Sequence, residues 1–588
     1  MRPQKLIAVG LALAALLSAQ NGAKDDPLLR AMRDEVERAR GLKLENLEHP
    51  YYVEFSVDEQ ENYGITASLG ALYAPTYAQF RIPRVRVRVG SMDFDNTGYA
   101  FSDYYSGARY DSEQLPLDND YSVLRRTFWL AADRAYKGAV EAIARKRAAL
   151  RNITQQEALP DFRKAEPAVK LLPAAGSLPS VEGWPERARK LSATFLAYPE
   201  VSGSSVALDG SYSTYYFHNS EGSTVRLPEK LIRYTVRANG QAANGTNVRD
   251  GVQLVRHDAS SLPSDAQLQE QTKAIAENVK ALVSAPVGED YSGPVLFEGI
   301  AAPQIIAEVL APNLSLPRRP VNEPSRPAPF LSSELEGRVG SRILPEFFDV
   351  IDNPLETIWN GVPLFGSYPI DEEGVIPKPL TLVEKGRLKE FLRTRQGVPG
   401  FDASNGRARI PGAYGASSAL ISNLFVRSSE TVKNTELRAR MLKMIKDRNK
   451  PYGIVIRKMD FPTTAPTDEL RRIVMSSNQR GNSRPVSTPT LTYRVYPDGR
   501  EELVRGLRFR MLNVRALRDI LVTGDESYAF HYLNTALPFA MQTNGYMAAA
   551  SVIAPAFLID DVELERTREE LPKLPVVPAP ALSAGNGQ

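Results

Sequence analysis

Four histidines, His49, His218, His257 and His531, are the imidazoles available to hold a metal or move a proton. No two are spaced as His-x-His or His-x-x-x-His, the patterns that bring two ring nitrogens to one side of a strand or helix. Each therefore reads as a surface or core histidine. The chain has no cysteine, which removes thiol nucleophiles, thiolate zinc sites, iron–sulfur clusters and disulfides. It also lacks a Gly-x-Ser-x-Gly elbow, a P-loop and a dinucleotide-binding glycine pattern. A zinc site built from distant histidines and carboxylates would leave no trace in sequence. The stretch with the most defined surroundings for chemistry is 293–314. Residues 293–297 read as a short strand, 299–303 as a turn and 304–310 as a short apolar helix. That helix is expected to stop at Ala311, because Pro312 disfavours the α conformation there. Strand, tight turn and short helix is where many enzymes place their chemistry, and Glu308 is this helix's single ionisable side chain.

A second feature with a possible binding role is the alternation of Arg84, Arg86 and Arg88 with Val85, Val87 and Val89. Such a stripe can bind nucleic acid, but a half-buried strand with a solvated arginine face explains it equally. The charge balance favours the second reading. Lys plus Arg number 72 against 69 Asp plus Glu, a net of +3. It falls by two if the N-terminal segment carrying Arg2 and Lys5 is removed. No nucleic acid and no anionic membrane is called for.

Residues 1–20 read as a signal peptide: Arg2 and Lys5, an apolar run over 6–17, then Ser18-Ala19-Gln20 near a cleavage point. The run is short for a membrane span, which needs about 20 apolar residues. No later stretch matches its apolarity, so an exported, periplasmic or extracellular protein without a membrane span after signal removal is expected. At 588 residues the chain is too long for one core.

The elements that must position these residues fall into two halves. Helices are expected over 26–40, 122–150, 184–197 and 264–284. Between them lie strands over 51–57, 65–73, 79–89, 204–217 and 223–237, and Asn219-Ser-Glu-Gly222 supplies the turn of the last pair. An N-terminal α+β domain is placed at 26–286 and a β-rich C-terminal domain at 290–566. In the second half a hairpin turns at Glu384-Lys-Gly-Arg387 and another at Pro497-Asp-Gly499. Residues 435–448 and 514–522 read as helical, and 551–564 as a closing strand. The proline-rich stretch 316–330 is a linker or surface loop, and the tail 571–588 is expected to be disordered.

Gly293-Pro-Val-Leu-Phe-Glu-Gly299, followed by Ile305-Ile-Ala-Glu-Val-Leu-Ala-Pro312, resembles the TldD/PmbA family, also called modulator of DNA gyrase, whose members are linked to metal-dependent proteolysis. Further phrases resemble the family in the same order: Asn219–Gly222, Leu335–Pro345, Asp371–Val375, Leu382–Leu392, Ser404–Arg409 and Ala554–Asp561. The resemblance spans about 26–565 and implies a two-domain α+β fold. In active members the helix carries His-Glu-x-x-x-His for zinc, with a cysteine as third ligand. On this chain the first histidine falls on Ala307, the glutamate on Glu308 and the second histidine on Pro312. Alanine and proline offer no lone pair to a metal.

Glu308 thus matches the family's general base, but without a metal-bound water a lone carboxylate makes no useful nucleophile. A glutamate kept for structure is the plainer reading. The resemblance implies the branch that lacks the metal motif: no catalytic residue, no metal and no cofactor in this chain, with zinc held by a partner. That partner would be an HExxxH-bearing TldD-like subunit, forming a heterodimeric peptidase that takes peptides as extended strands. The alternatives are a stand-alone exported peptide-binding or assembly protein, and a metallopeptidase with a relocated site. The retained phrases around the old site, 371–375 and 404–409, suggest a surface that still meets a partner. On that reading Ile306→Arg or Ala307→Arg would disturb an interface, whereas at core positions either would unfold the protein.

Overall fold

In the computed structural model, residues 26–44, 47–101, 109–110, 114–151, 159–322, 330, 332–412, 415–460, 486–534 and 546–567 are described. The expected signal peptide at 1–20, the tail at 571–588 and part of the proline-rich stretch lie outside them. The described residues form an α+β protein built on two large sheets.

The first sheet is antiparallel along its long strands. β1 (Pro50–Ser68) pairs with β2 (Thr76–Val89) and β3 (Gly203–Asn219), β3 with β4 (Thr224–Gln241), and β4 with β5 (Asn247–Arg256). Alternation sends Val53, Phe55, Val57, Val85, Val87 and Val89 to one face. There they pack against α1 (Pro27–Arg40) and α2 (Tyr121–Leu150) through Leu28, Met32, Leu124 and Phe128. Asp26 caps α1, its Oδ1 accepting from the Leu28 and Leu29 amides at 3.0 and 3.3 Å, and Pro27 opens the helix without losing a needed N–H. Farther along the same face, α3 (Trp184–Ser192) and α4 (Asp265–Ser284) cover Ile65, Val206, Leu208, Ile232 and Val236.

The opposite face of this sheet meets the second half of the chain, and here the arginine stripe departs from expectation. Arg84, Arg86 and Arg88 are 2, 6 and 4% exposed, neither a solvated face nor a surface for nucleic acid. Arg84 pairs with Asp58 at 2.9 Å and Glu372 at 3.2 Å, Arg86 with Glu54 at 3.1 Å, and Arg88 with Asp95 at 2.7 Å. The register explains part of this. Glu54 lies directly across from Arg86 on the neighbouring strand, a pairing separated by 32 positions of chain that alternation alone does not reveal.

The second sheet mixes parallel and antiparallel pairs. β6 (Tyr291–Phe297), β7 (Phe348–Asp352), β8 (Leu380–Glu384), β9 (Asn423–Ser428), β10 (Gly453–Met459), β11 (Pro489–Val495), β12 (Glu501–Val504), β13 (Ile520–Asn534) and β14 (Ala548–Arg566) are its main strands. Their order is β8-β7-β9-β14-β6-β10-β11-β12, with β13 on β14. β6 is central, parallel to β10 and antiparallel to β14. β5, β7, β9, β10 and β13 stand where the sequence pattern predicts no strand. The expected helix at 514–522 is a 3-10 turn, Val514–Asp519, after which the chain enters β13 directly. Val514 and Leu517 are buried, but one short turn suffices to bury both, and helical spacing of two residues does not specify a longer helix.

Candidate functional site

The stretch after β6 begins its helix earlier than its apolar pattern suggests. α5 (Ala301–Ile305) starts just beyond the Glu298-Gly299 turn and takes Pro303 into its first turn, where a proline removes no needed donor. The next turn, Ile306–Leu310, widens to a π turn, and Ala311–Leu314 tightens to 3-10. Ala311 stays in the right-handed helical region at φ −54° and ψ −44°, so the expected stop before Pro312 does not occur. A change of hydrogen-bond pattern at that point lets the chain carry the proline without an ordinary α turn. Asn313 secures the end, its side-chain amide donating to the Val309 carbonyl at 2.9 Å.

This helix is packed shut. Ile306 is 1% and Ala307 4% exposed, both in the main core of the C-terminal half with Leu310, Phe297 and Phe557. Pro312 is half-buried at the start of the 3-10 turn. The two positions where a metal ligand would stand are thus an alanine in a hydrocarbon environment and a proline ring. They do not fit zinc. The reading of Ile306 and Ala307 as interface positions is corrected as well: both are core positions of this chain.

Glu308 is half-buried, and Ser487 engages both of its oxygens. The Ser487 amide donates to Oε2 at 2.9 Å and its hydroxyl donates to Oε1. Burial pushes the Glu308 carboxyl up to about 7, partly opposed by these two hydrogen bonds and reinforced by nearby Asp460. Gln304, one turn earlier, accepts from the Met459 amide at 2.8 Å and ties the helix to β10. The polar atoms of this helix thus serve its attachment.

The histidines are spread over the structure. His49 is exposed. His218, at the end of β3, bonds through Nδ1 with the Thr224 hydroxyl at 2.9 Å, and burial lowers it to about 4. His257 and His531 flank the Phe365 ring, with centroids 4.5 and 4.9 Å away, and burial lowers His531 also to about 4. Among the described residues no group of three or more His, Asp or Glu is gathered as a cation would require.

The phrases at 219–222, 371–375 and 404–409 meet, but at a seam between the two sheets and not around α5. Asn219 accepts from the Glu221 and Ser223 amides at 3.1 and 2.9 Å, and Gly222 takes the φ of +103° that the turn needs. Glu221 then receives Arg395 at 2.7 Å, whose own amide donates to Glu373 at 2.7 Å. Asp371 accepts from the amides of Glu373, Val375 and Ala408 at 2.8–3.0 Å. Gly374 sits so close that a Cβ there would lie 3.1 Å from Phe217 and Ser223. Arg407 and Asp352, both fully buried, pair at 2.6 Å. Glu221–Arg395 and the close approach of Gly374 to Phe217 and Ser223 join the halves, and the Asp371 and Arg407 contacts order the C-terminal side of that seam.

Beyond this seam the same sheet face opens into a cleft of about 640 Å³ against the C-terminal half. Sequence reasoning did not single it out. Its one sign in sequence is the polar side of β1 and β3, Asp58, Gln60, Asn62 and Asp209, Ser211, Ser213, which alternation alone reads as solvated.

Comparison with known proteins places these observations. Residues 291–460 match the family model described as the PmbA/TldA metallopeptidase C-terminal domain. A metalloprotease of Archaeoglobus fulgidus is 35% identical over 78 residues, 13% of this chain and 17% of that protein. Two solved structures share the fold. A modulator of DNA gyrase from Thermotoga maritima superposes with a TM-score of 0.53 at 14% identity, covering 87% of this chain and 96% of its own. TldE from Thermococcus kodakarensis does so with 0.53 at 11% identity, covering 91% and 100%.

Proposed function

We propose that this chain, which belongs to the TldD/PmbA family, is a non-catalytic subunit of an exported peptidase complex. On this reading it pairs with an HExxxH-bearing TldD-like subunit that holds the zinc and performs the hydrolysis. The observation that carries the reading is the packing at the degenerate motif. Ala307 is buried in the core, Pro312 opens a 3-10 turn, and both oxygens of Glu308 are engaged by Ser487. A general base needs a free lone pair aimed at an activated water, and this carboxylate has neither the orientation nor a neighbouring ligand set. The relatives' description as metallopeptidases supports a role in peptide processing, and the apolar run over 6–17 supports export.

The test is co-purification of the tagged chain from an extracytoplasmic fraction, with metal analysis of the chain alone and of whatever elutes with it. Alone it should carry no stoichiometric zinc and cleave no unstructured peptide, whereas the complex should do both. A 1:1 zinc content in the isolated chain after dialysis, or chelator-sensitive cleavage by it, would overturn the proposal. Ala307→His should not restore activity, since a catalytic zinc needs three protein ligands.

A further inference from the structure

The polar cleft between the two sheets has a layout that a particular ligand chemistry would satisfy. Its floor is the end of the first sheet where four strands stand in register. Gln60 lies across from Ser213, and Asn62 from Ser211, on β1 and β3. Glu229 on β4 lies across from Ser213. None of these four amide and hydroxyl side chains has a hydrogen-bond partner among the described residues. Polar groups withdrawn from bulk water are ordinarily paired, so a row of four half-buried, unpaired ones facing one cleft can receive a ligand or water. Glu229, a solvent-exposed residue of the cleft lining, is likewise without a hydrogen bond or an ion pair among the described residues.

On the opposite wall stands Arg409, at the end of one of the retained phrases. Its guanidinium lies 4.0 Å over the Tyr368 ring, and it too has no carboxylate within ion-pair distance among the described residues. Stacking fixes the plane and leaves the edge of the fork free, the geometry that receives a planar carboxylate. Phe80, Ile82, Leu231, Phe365 and Met547 supply apolar wall between these polar points. The volume lies in the range of small-molecule sites, about 300–1,000 Å³.

We propose that this cleft binds short peptides with free termini, Arg409 taking the terminal carboxylate and Glu229 the terminal ammonium. The amides and hydroxyls of Gln60, Asn62, Ser211 and Ser213 face the peptide groups between. A phosphorylated ligand would meet the carboxylates of Asp58, Asp209, Glu229 and Glu372 in the lining. A neutral sugar would engage neither the Arg409 charge nor the Glu229 charge, and would forgo the charge-assisted hydrogen bonds both can make. A zwitterion of two or three residues answers both charges at once. The proposal rests on the reading above for the peptide class alone. Its test uses the isolated chain, so failure to pair with a zinc subunit and failure of the cleft are read separately.

The experiment is isothermal titration calorimetry of the purified chain with Ala-Leu-Ala, its N-acetylated form, its C-terminal amide and maltotriose. Blocking either end should weaken binding about tenfold or more, since each block removes one charge-assisted contact. Glu229→Gln should bind the free and acetylated peptides equally, and Arg409→Gln the free and amidated peptides equally. Circular dichroism of both variants should match the wild type and thermal melting should change little, because Glu229 makes no hydrogen bond or ion pair among the described residues and Arg409 only its stacking on Tyr368. No saturable binding of Ala-Leu-Ala at millimolar concentration would overturn the proposal. So would variants that weaken free and blocked peptides alike, or saturable binding of maltotriose in place of the peptide.

Discussion

One face of the first sheet behaves in two opposite ways along its length. Over Glu54 and Arg84–Arg88 it is shut against the second half of the chain, and the charges on it are buried in pairs: Arg86 with Glu54, Arg88 with Asp95, Arg84 with Asp58 and Glu372. A few residues on, over Gln60–Asn62 and Ser211–Ser213, the same alternating face borders a cleft and its polar side chains are unpaired among the described residues. Both halves have a polar residue at every second position. What differs is whether the second half of the chain approaches closely enough, with complementary charge, to consume them. The phrases at 219–222, 371–375 and 404–409 straddle the boundary: Glu221 and Glu373 join Arg395 at the shut end, while Glu372 and Arg409 line the cleft.

The largest effect is expected in the fully closed region around α5. Ile306→Arg and Ala307→Arg should each cost about 4 kcal/mol or more, because an unpaired guanidinium would enter a hydrocarbon core. Each should give little folded protein by circular dichroism, and a variant that melts normally would show that α5 is not core. At the shut end of the sheet face, Arg88→Ala should cost about 3–5 kcal/mol by leaving Asp95, which is 0% exposed, without its counter-charge. Thermal melting reads this directly, and a loss under about 1 kcal/mol would place Arg88 with surface pairs.

A pH dependence should mark the boundary between the two ends. Burial holds the Glu372 carboxyl at about 7, with Arg84 and Arg409 lowering it and Asp58 raising it. The folded state therefore keeps a proton that the unfolded chain releases near its ordinary value of 4.5. Glu372 contributes stability fully present below about pH 4.5 and lost as pH rises through 7. The contribution is about 1–2 kcal/mol, reduced because the side chain is 24% exposed. His531, lowered to about 4, acts in the opposite sense and loses its contribution as pH falls from 6.5 towards 4. The difference in melting temperature between wild type and Glu372→Gln, followed from pH 4 to 8, isolates the first effect. A difference that is flat with pH would remove it. The smallest change belongs to the open end, where Gln60→Ala and Asn62→Ala should shift stability by about 0.5 kcal/mol or less. A larger loss in melting experiments would mean that the floor of the cleft is structural after all.

Much of this molecule was legible in the chain because it depends on neighbours in sequence. Periodicity marks α1, α2 and α4, the cap at Asp26 follows from residue type, and the order of short phrases identifies the fold. The loss of ligands at Ala307 and Pro312 is also a matter of composition, since neither residue has a lone pair to give. Tertiary structure decided what those elements touch. The valine side of β2 reads as buried from alternation, but the arginine side is buried as well. Its partners Glu54 and Asp58 come from β1, Asp95 from the turn just after β2, and Glu372 from the second half of the chain. The tertiary structure likewise put Ile306 and Ala307 in the core, carried the helix past Ala311 by changing its hydrogen-bond pattern, and left Glu229 and Arg409 lining one cleft without an ion pair among the described residues. Alternation says which side of a strand is polar. Only the approach of a second sheet decides whether that side meets charge, water or a ligand, because electrostatic pairing acts through space between residues far apart in the chain.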